Sequence, residues 1–369
     1  MSARGFSRVN PGYNSQVTDP DFRSLRGLPG QAAVEIVDQT QLPHRWVTIR
    51  LSSATEAAHA IRSMQVRGAP LIGATAAYGL GMALASDPED ANLDAAYTLL
   101  LGTRPTAVNL RWALDRCRSA VVALPPPARA AAAWREADAI AAEDAAANRA
   151  IGEHGLALIK RLATDGRPKQ IMTHCNAGAL ATLGLGTATA PIYLAHRAGI
   201  PVHVWVSETR PRLQGARLTA WELRAHGVPH TLIVDAASAA LMRQGRVDIV
   251  LVGADRVAAN GDVCNKIGTY EKALAARDSG VPIYAAVPSA TIDWTLGDGE
   301  RIPIEERNAD EVLLPAGDEA IAPSGTAVAN PAFDVTPARL LTGIITERGV
   351  CTPDALATLF PKEAKTPRP

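Results

Sequence analysis

Residues 247–256 read Val247-Asp248-Ile249-Val250-Leu251-Val252-Gly253-Ala254-Asp255-Arg256, an apolar run that ends in a glycine, a carboxylate and a cation. Continuous apolar runs of this kind are typical of parallel strands that are covered on both faces of a sheet. In open α/β sheets the ligand binds beyond the carboxyl ends of such strands, so Asp255 lies where chemistry is usually performed. The pair Asn265-Lys266 follows at the predicted start of the next helix, where backbone N–H groups favour an anion such as phosphate.

The chain beyond Asp165-Gly166 alternates between predicted strands and helices. The strands are predicted near 169–175, 202–207, 230–235, 247–254 and 282–288. This alternation favours an α/β fold with a Rossmann-like, doubly wound parallel sheet. The part before it is mainly helical and contains a predicted β-hairpin, formed by the runs 33–37 and 45–51. We therefore divide the chain into a flexible leader (1–30), a mainly helical N-terminal domain (31–155), a Rossmann-like catalytic domain (156–360) and a tail (361–369).

The composition describes a globular protein without a basic surface. Hydrophobic residues make up 47% of the 369 residues, and the 37 Lys and Arg balance the 37 Asp and Glu. This balance argues against nucleic acid and a membrane surface as partners, and it fits a small ligand better. The sequence shows neither a secretory signal nor a run of the ~20 apolar residues that a membrane helix needs. The four cysteines are widely spaced and form no CxxC pair, so we expect reduced thiols and a cytoplasmic protein.

Cys175 lies just after the first predicted strand of the parallel sheet, in a segment that is predicted to open into a helix. A helix N-terminus favours the thiolate form of a cysteine and makes it a better nucleophile or base. Most free cysteines are buried structural residues, but Cys175 and Asp255 follow two strands of one sheet, which favours a catalytic cysteine. A metal could use His174, His203 or Cys264 as further ligands, but no spacing joins these side chains into one site. We therefore predict no metal.

No nucleotide cofactor is predicted either. The turn after the first strand could bind a dinucleotide, but Gly178, Gly184 and Gly186 do not form the G-x-G-x-x-G fingerprint. The G-x-x-x-x-G-K-[ST] pattern of a phosphate-binding loop is also absent from the sequence. A nicotinamide oxidoreductase is therefore a weaker hypothesis than an enzyme without a cofactor.

Three polar segments are candidates for substrate binding. Gln214 lies with several arginines in a polar loop after the strand predicted at 202–207, and such side chains suit hydroxyl and phosphate groups. Arg67-Gly68-Ala69 and Arg104 precede helices of the N-terminal half, where an anion is well accommodated. Taken alone, each segment is also typical of a surface turn or of an oligomer contact, and the residues themselves leave these alternatives open.

A series of segments, taken together and in order, resembles the methylthioribose-1-phosphate isomerase family over roughly residues 30 to 360. The segments are Val66-Arg67-Gly68-Ala69-Pro70, Arg104-Pro105-Thr106-Ala107-Val108-Asn109-Leu110, Thr173-His174-Cys175-Asn176-Ala177-Gly178, Glu208-Thr209-Arg210-Pro211, Gln214-Gly215-Ala216-Arg217-Leu218-Thr219, Gly253-Ala254-Asp255-Arg256, Asn260-Gly261-Asp262, Asn265-Lys266-Ile267-Gly268-Thr269-Tyr270, Ile304-Glu305-Glu306-Arg307 and Asn330-Pro331-Ala332-Phe333-Asp334-Val335-Thr336-Pro337. This family shares its fold with ribose-1,5-bisphosphate isomerases and with the regulatory subunits of the eukaryotic translation-initiation nucleotide exchange factor.

The resemblance implies an aldose–ketose isomerase of methionine salvage that converts 5-methylthioribose 1-phosphate to 5-methylthioribulose 1-phosphate. It implies a homodimer, a sugar phosphate as ligand and no cofactor. It also implies a catalytic Cys175 and a proton-donating Asp255, with substrate ligands at Arg67, Gly68, Ala69, Arg104, Gln214, Asn265 and Lys266. The alternatives are an isomerase of ribose 1,5-bisphosphate or 5-deoxyribose 1-phosphate, and a non-catalytic regulatory subunit of nucleotide exchange.

The chemistry of an aldose that is phosphorylated on its anomeric carbon explains why an acid and a thiol are needed. Such a ring cannot open by ordinary hemiacetal loss, so opening needs an acid at the ring oxygen and a group that manages the hydrogen moving from C2 to C1. We assign the acid to Asp255, because the apolar run before it and the neighbouring strands disfavour its charged form. Cys175 then acts either as a thiolate base in a phosphoenolate route or as a stabilising neighbour during a hydride shift, and the sequence leaves both open.

Overall fold

The computed structural model describes residues 22–28, 30–104, 107–315, 317 and 319–365. The strands of this part of the chain are β1 (Leu25–Gly27), β2 (Val34–Val37), β3 (Thr48–Leu51), β4 (Lys169–Thr173), β5 (Val202–Ser207), β6 (His230–Ile233), β7 (Ile249–Val252), β8 (Arg256–Ala258), β9 (Val263–Lys266), β10 (Ile283–Ala286), β11 (Ile292–Asp293), β12 (Phe333–Thr336), β13 (Gly343–Thr346) and β14 (Gly349–Cys351). Each of the five predicted strands of the catalytic half corresponds to one of them, namely β4, β5, β6, β7 and β10.

Within the described residues, seven strands form the central sheet in the order β14-β13-β10-β7-β4-β5-β6. All neighbours in it are parallel except β13 and β14, which pair antiparallel. From β4 the chain moves outward through β5 and β6, returns to the other side of β4 as β7, and continues through β10 and β13. The predicted doubly wound parallel sheet is confirmed. Its winding reverses between β4 and β7, and ligands bind at such reversals.

The helices of the described part are α1 (Ala54–Arg62), α2 (Ala69–Ser86), α3 (Asp90–Leu101), α4 (Val108–Val121), α5 (Pro126–Leu162), α6 (Ala190–Arg197), α7 (Ala220–Ala225), α8 (Ala237–Arg243), α9 (Thr269–Asp278), α10 (Asp310–Leu313), α11 (Leu356–Leu359) and α12 (Pro361–Lys365). The first five make the N-terminal half mainly helical, as predicted. Helix α5 packs against α2 and α4 and, further along, against α6 and β13. The domain boundary predicted between 155 and 156 falls inside α5 and stays a prediction.

Helix α2 forms the centre of the helical half. It is apolar all round, which is typical of a helix that is surrounded by protein. By its length of 18 residues and its mean hydropathy of 1.3 it is also the one helix among the described residues that could cross a membrane, but 83% of it is buried. The burial is that of a core helix.

The predicted hairpin is present as β2 and β3, but it is part of a larger sheet. Strand β1 pairs antiparallel with β2 and places Leu25 opposite Ile36. Leu25 is buried in the same core as Ile36 and α2. Strand β1 lies inside the predicted leader 1–30, so that prediction is wrong for residues 25–27, because a three-residue strand with one buried side chain carries no alternation to detect. The rest of the leader up to residue 21 lies outside the described residues.

The predicted tail 361–369 also begins with ordered structure. Helix α12 spans Pro361–Lys365, and Glu363 pairs with Arg348 at 2.6 Å. The preceding Phe360 is fully buried and packs under the Arg348 guanidinium at 4.3 Å. The expectation of a disordered tail is therefore wrong for 361–365, because one buried aromatic residue anchors them. Residues 366–369 lie outside the described part.

A small sheet of order β11-β8-β9-β12 covers the end of β7. Strands β8 and β9 form a hairpin whose turn contains Gly261 at φ +87°. The hairpin returns the chain to the end of β7, where the N–H of Asp255 donates to the carbonyl of Cys264 at 2.9 Å. This small sheet thereby places the end of β9 beside the carboxyl end of the central strand.

Candidate active site

A cavity opens at the carboxyl ends of β4 and β7, where the central sheet reverses its winding. The start of α2 and the end of β9 complete its wall. It is lined by all of the residues that the sequence analysis selects: Cys175, Asp255, Arg67, Gly68, Ala69, Arg104, Gln214, Asn265 and Lys266. Both halves of the chain therefore contribute to one cavity.

Cys175 leaves β4 in a left-handed backbone conformation with φ of 64°. Both of its backbone polar groups are held by threonine hydroxyls. Its N–H donates to Thr209 Oγ1 at 2.8 Å, and its carbonyl accepts from Thr219 Oγ1 at 2.6 Å. A left-handed φ costs a non-glycine residue about 1–2 kcal/mol, and strain of this kind is found at functional sites. The two threonines hold the cysteine in this strained position at the cavity wall.

The α-helix expected after Cys175 does not follow it directly. Within the described residues only a short 3₁₀ turn, Ala179–Ala181, follows, and α6 begins later in the chain. The first two N–H groups of this turn donate to the carboxylate of Glu222 at 2.9 and 3.2 Å. The prediction that a helix N-terminus acts on the thiol is therefore wrong, because a buried carboxylate takes the N–H groups of the turn.

Asp255 lies directly beyond β7 and is half-buried in the cavity wall. Its carboxyl group lies close enough to Arg104 and Lys266 to raise the pKa of both against the effect of their burial. Since β4 and β7 are neighbours, Asp255 and Cys175 come from adjacent strand ends. The acid and the thiol that the sequence analysis pairs thus face the same cavity.

Asn265 and Lys266 end strand β9, so the prediction that they start a helix is wrong. Both residues pair with β12 through their backbones. The next helix, α9, starts at Thr269, and the N–H groups of Gly268 and Tyr270 at its start donate to Asp334. This helix N-terminus is therefore occupied by a carboxylate, and the anion-binding groups here are the side chains of β9.

The ammonium group of Lys266 is buried at the bottom of the cavity. Its Nζ donates to the carbonyl of Ala332 at 2.8 Å and lies 4.4 Å from the centre of the Phe333 ring. Burial and the neighbouring Arg307 lower the pKa of Lys266 to about 8. The group is therefore charged at neutral pH and close to losing its proton, as is typical of a cation kept for an anionic ligand.

Arg67 and Gly68 connect the helical half to the loop after β4. The Arg67 guanidinium donates to the side-chain and backbone oxygens of Asn176, the latter at 2.7 Å. Gly68 has φ of 97°, and a Cβ at this position would lie 2.6 Å from the carbonyl oxygen of Ala181. Only glycine fits this close approach, which brings the start of α2, at Ala69, to the cavity.

Two polar atoms at the cavity wall have no hydrogen-bond partner among the described residues. They are the Nε of Arg104 and the Oε1 of Gln214, and both are buried. The other side of the Arg104 guanidinium donates to Glu305 at 2.8 Å, and Arg307 donates to the same carboxylate at 3.1 Å. Buried polar atoms in native proteins are nearly always paired, so these two call for a polar ligand.

Comparisons with known proteins identify the family. The model of the initiation factor 2 subunit family matches residues 65–353. Methylthioribose-1-phosphate isomerase of Rhodospirillum rubrum is 59% identical over 355 residues, with 91% of each chain covered. That of Dechloromonas aromatica is 58% identical, with 93% of this chain and 98% of the relative covered. The chain belongs to the methylthioribose-1-phosphate isomerase family.

Solved structures agree with this assignment. The 5-methylthioribose 1-phosphate isomerase from Pyrococcus horikoshii OT3 matches with a TM-score of 0.83 at 42% identity, covering 96% of this chain and 99% of that one. The delta subunit of translation initiation factor eIF-2B from A. fulgidus matches with a TM-score of 0.78 at 38% identity, covering 93% and 99%. The resemblance that the sequence analysis states is confirmed, and the chain has the fold of this isomerase family.

Several residues in or beside the cavity have no role that was predicted from the sequence. Arg307 and Phe333 line it, and Glu305 joins the two arginines behind it. Asn176 lines it as well and binds Arg67. A signal was available, because all four residues lie inside segments quoted for the resemblance. Without spatial information, however, a Glu-Glu-Arg sequence reads as a charged surface.

The histidine next to the catalytic cysteine candidate has a structural environment. His174 is buried, and its Nε2 donates to the carbonyl of Ile267 at 2.8 Å. Burial lowers the pKa of His174 to about 3, so the ring is neutral. His203 lies elsewhere, bonded to Thr231 between β5 and β6. Among the described residues no group of three or more His, Cys, Asp and Glu side chains could hold a metal ion.

Proposed function

We propose that this chain catalyses the conversion of 5-methylthioribose 1-phosphate to 5-methylthioribulose 1-phosphate. The observation that carries the proposal is one cavity that combines a thiol, a carboxyl and several cations, in a chain 59% identical to a named methylthioribose-1-phosphate isomerase. A pure binding surface has no need of Cys175 and Asp255 at adjacent strand ends. This argues against the alternative of a regulatory nucleotide-exchange subunit.

The phosphate of the substrate binds to the cationic side of the cavity. Lys266 and Arg104 supply charge, and the unpaired Nε of Arg104 and Oε1 of Gln214 supply a donor and an acceptor for the phosphate and a hydroxyl. Asn265 and the Arg67-Gly68-Ala69 turn complete the set. Charge-assisted hydrogen bonds of this kind contribute about 1.5–3 kcal/mol each, which supports the assignment of these residues as substrate ligands.

Asp255 is the acid of the proposed reaction. It donates a proton to the ring oxygen as the bond between this oxygen and C1 breaks. In the hydride route, the hydrogen on C2 moves with its electron pair to C1, and the proton of the C2 hydroxyl leaves to the Asp255 carboxylate. The phosphate stays on C1 throughout, so the product is a ketose 1-phosphate.

Cys175 has a different role in each of two routes. In the hydride route its half-buried side chain stabilises the cation that develops at C1. In the phosphoenolate route its thiolate removes the proton from C2 and returns it to C1. Substrate that carries deuterium at C2 separates the routes, because a hydride shift keeps the deuterium on C1 and a solvent-exchanging thiol replaces it with hydrogen.

The apolar residues that line the cavity bear on the substituent on C5. Met64, Ile72 and Pro288 are apolar residues of the lining. An apolar wall supports a methylthio group, whereas a second phosphate needs further cations. We therefore favour 5-methylthioribose 1-phosphate as the substrate over ribose 1,5-bisphosphate and 5-deoxyribose 1-phosphate.

Product analysis tests the proposal directly. Each of the three sugar phosphates is incubated separately with the purified protein, and phosphorus and proton NMR follow the products. We expect a ketose 1-phosphate from the methylthio substrate at the highest kcat/KM. A higher kcat/KM for ribose 1,5-bisphosphate would show that the protein is the alternative isomerase. No turnover of any of the three would refute the proposal that the protein is an isomerase.

We also propose a cytoplasmic homodimer that works without a cofactor. Light scattering on the eluted protein gives its mass in solution, and a single peak at the mass of one chain refutes the dimer. Treatment with a chelator, followed by dialysis, leaves activity unchanged if no metal takes part. Cell fractionation tests the compartment.

A further inference from the structure

A carboxylate that the proposed mechanism does not use is buried beneath the cavity. Glu222 of α7 is 0% exposed and accepts four hydrogen bonds. The donors are the backbone N–H groups of Ala179 and Leu180, the side-chain amide of Asn176 at 2.8 Å and the hydroxyl of Tyr193 at 3.0 Å. Four donors match the four lone-pair positions of an ionised carboxylate. Such a group is costly to bury unless every position is satisfied, as it is here.

The amide of Asn176 joins this carboxylate to Arg67. Its Nδ2 donates to Glu222 at 2.8 Å and to Thr219 Oγ1 at 3.2 Å, so both amide hydrogens are used. The amide oxygen must therefore face the other way, toward the guanidinium of Arg67, which it accepts from. The backbone oxygen of Asn176 accepts a second bond from the same guanidinium at 2.7 Å. Glu222 thereby fixes the direction in which Asn176 holds Arg67.

The same network reaches Cys175. Thr219 Oγ1 accepts from Asn176, so its own hydrogen is free to donate to the carbonyl of Cys175 at 2.6 Å. That carbonyl belongs to the residue with φ of 64°. Gly178 leaves the space that the carboxylate needs, because a Cβ there would overlap Glu222. One buried carboxylate thus restrains a cavity arginine from one half of the chain and the cavity cysteine from the other.

We propose that Glu222 is a positioning residue for the proposed isomerase reaction, which holds Arg67 and Cys175 in register through Asn176 and Thr219. It contacts neither substrate nor reacting atoms. Its function is to keep these two groups at fixed places on the cavity wall. The inference rests on the proposed function only for its kinetic readout.

The variant Glu222→Gln keeps the shape and replaces one acceptor oxygen by an N–H donor. We expect KM to rise about 10- to 100-fold, the range that corresponds to one lost charge-assisted bond. If Glu222 acts through Arg67, its effect on KM is not independent of that residue. The KM of the double variant with Arg67→Lys then lies well below the value obtained by multiplying the two single effects. Both effects simply multiply if Glu222 only stabilises the fold.

Alkylation by iodoacetamide gives a second readout that needs no turnover. Mass spectrometry follows the modification of Cys175 relative to Cys351, which is partly exposed and lies outside the cavity. In Glu222→Gln we expect this ratio of rates to change at least about threefold, because the restraint on the Cys175 carbonyl is loosened. The matched control is Asp144→Asn, another carboxylate that accepts a backbone N–H, from Leu183 at 2.7 Å. In this control KM and the alkylation ratio should stay as in wild type.

Two results overturn the inference. One is a KM for Glu222→Gln that is unchanged or that multiplies with Arg67→Lys, and the other is an alkylation ratio equal to that of wild type. If Glu222→Gln does not fold, Asn176→Ala replaces it in both experiments with the same expectations. If wild type shows no isomerase activity, the proposed function fails by itself. The Kd of inorganic phosphate then replaces KM in the cycle, and the alkylation ratio is read as before.

Discussion

Lys266 offers the sharpest test of the anion site, because its charge depends on pH in an accessible range. Its side chain is buried, and burial together with Arg307 lowers its pKa to about 8. The substrate phosphate is dianionic well above its second pKa of about 6. Since kcat/KM reports the free enzyme, we expect it to fall as pH rises through about 8. The limb in kcat should lie at higher pH, because bound phosphate favours the charged lysine.

The variant Lys266→Met keeps an apolar stem and removes the charge. At pH 7 we expect kcat/KM to fall by about 10- to 100-fold, the equivalent of about 1.5–3 kcal/mol for a charge-assisted hydrogen bond. The limb near pH 8 should disappear from the variant, because the group that titrates is gone. Initial rates are measured by NMR across the pH range. Lys160→Met, at an exposed position of α5, controls for the loss of one positive charge.

The free energy of unfolding gives an independent measurement, because it should rise with pH where kcat/KM falls. The folded pKa of Lys266, about 8, lies below the ordinary value of 10.5, so the unfolded chain binds the extra proton between these values. Wild-type stability should therefore rise with pH across this window. This difference in pKa means that the charged lysine destabilises the folded protein by about 3 kcal/mol at pH 7. The variant removes this cost, and it loses a hydrogen bond and a ring contact of about 1 kcal/mol each. Lys266→Met should be at least as stable as wild type at pH 7. A less stable variant with an unchanged kcat/KM and a retained limb refutes the reasoning.

Three further substitutions test the other parts of the site. Cys175→Ala should lower kcat at least about tenfold with the fold intact, since its role is chemical, and a smaller loss removes the cysteine from the mechanism. Asp255→Asn keeps shape but not the transferable proton, so kcat should fall about 10²- to 10⁴-fold with phosphate affinity preserved, and a variant within tenfold of wild type contradicts the assignment. Gly68→Ala should cost more than about 1 kcal/mol in denaturant unfolding, because its Cβ would lie 2.6 Å from a backbone oxygen, whereas Gly199→Ala, with φ of 74° but open space, should cost less. Equal losses for the two glycine variants would show that φ alone matters.

The central sheet could be predicted because its strands are covered on both faces. The runs that became β4, β5 and β7 are apolar enough to stand out from the helices between them. Strand β1 has three residues, and a pattern this short cannot be distinguished from a loop. Strand β13 was missed although it has as many residues as β7. Strand β9 ends in Asn265 and Lys266, whose polar side chains suggested a helix start. It is held in the small sheet by backbone pairing with β12, which leaves no trace in hydropathy.

The cavity residues could be predicted because chemistry collects where strands of a parallel sheet end. Cys175 and Asp255 follow adjacent strands, and Arg67 precedes a helix that a glycine allows to approach. The groups that hold them were not found, since their partners are far apart in sequence. Glu222 is an example: it sits between Trp221 and Leu223, and an acidic residue in an apolar setting was the available sign of a buried carboxylate. Which atoms it binds follows only from the packing of α7 under the loop after β4.

The balance of charge over the whole chain conceals how the cavity binds an anion. The formal net charge is zero, but Arg104, Lys266 and Arg307 meet at one wall. Arg307 lowers the pKa of both Arg104 and Lys266, as expected for cations that lie close together. Glu305 accepts from both arginines and offsets part of the repulsion between them, and the Nε of Arg104 has no partner in the described part of the chain. Because the same carboxylate limits the positive charge available to a ligand, the wall suits one phosphate better than two. Glu305→Gln should therefore raise the affinity for ribose 1,5-bisphosphate relative to the methylthio substrate. If competition experiments give the same ratio of the two affinities as in wild type, the charge of this wall does not determine the choice of substrate.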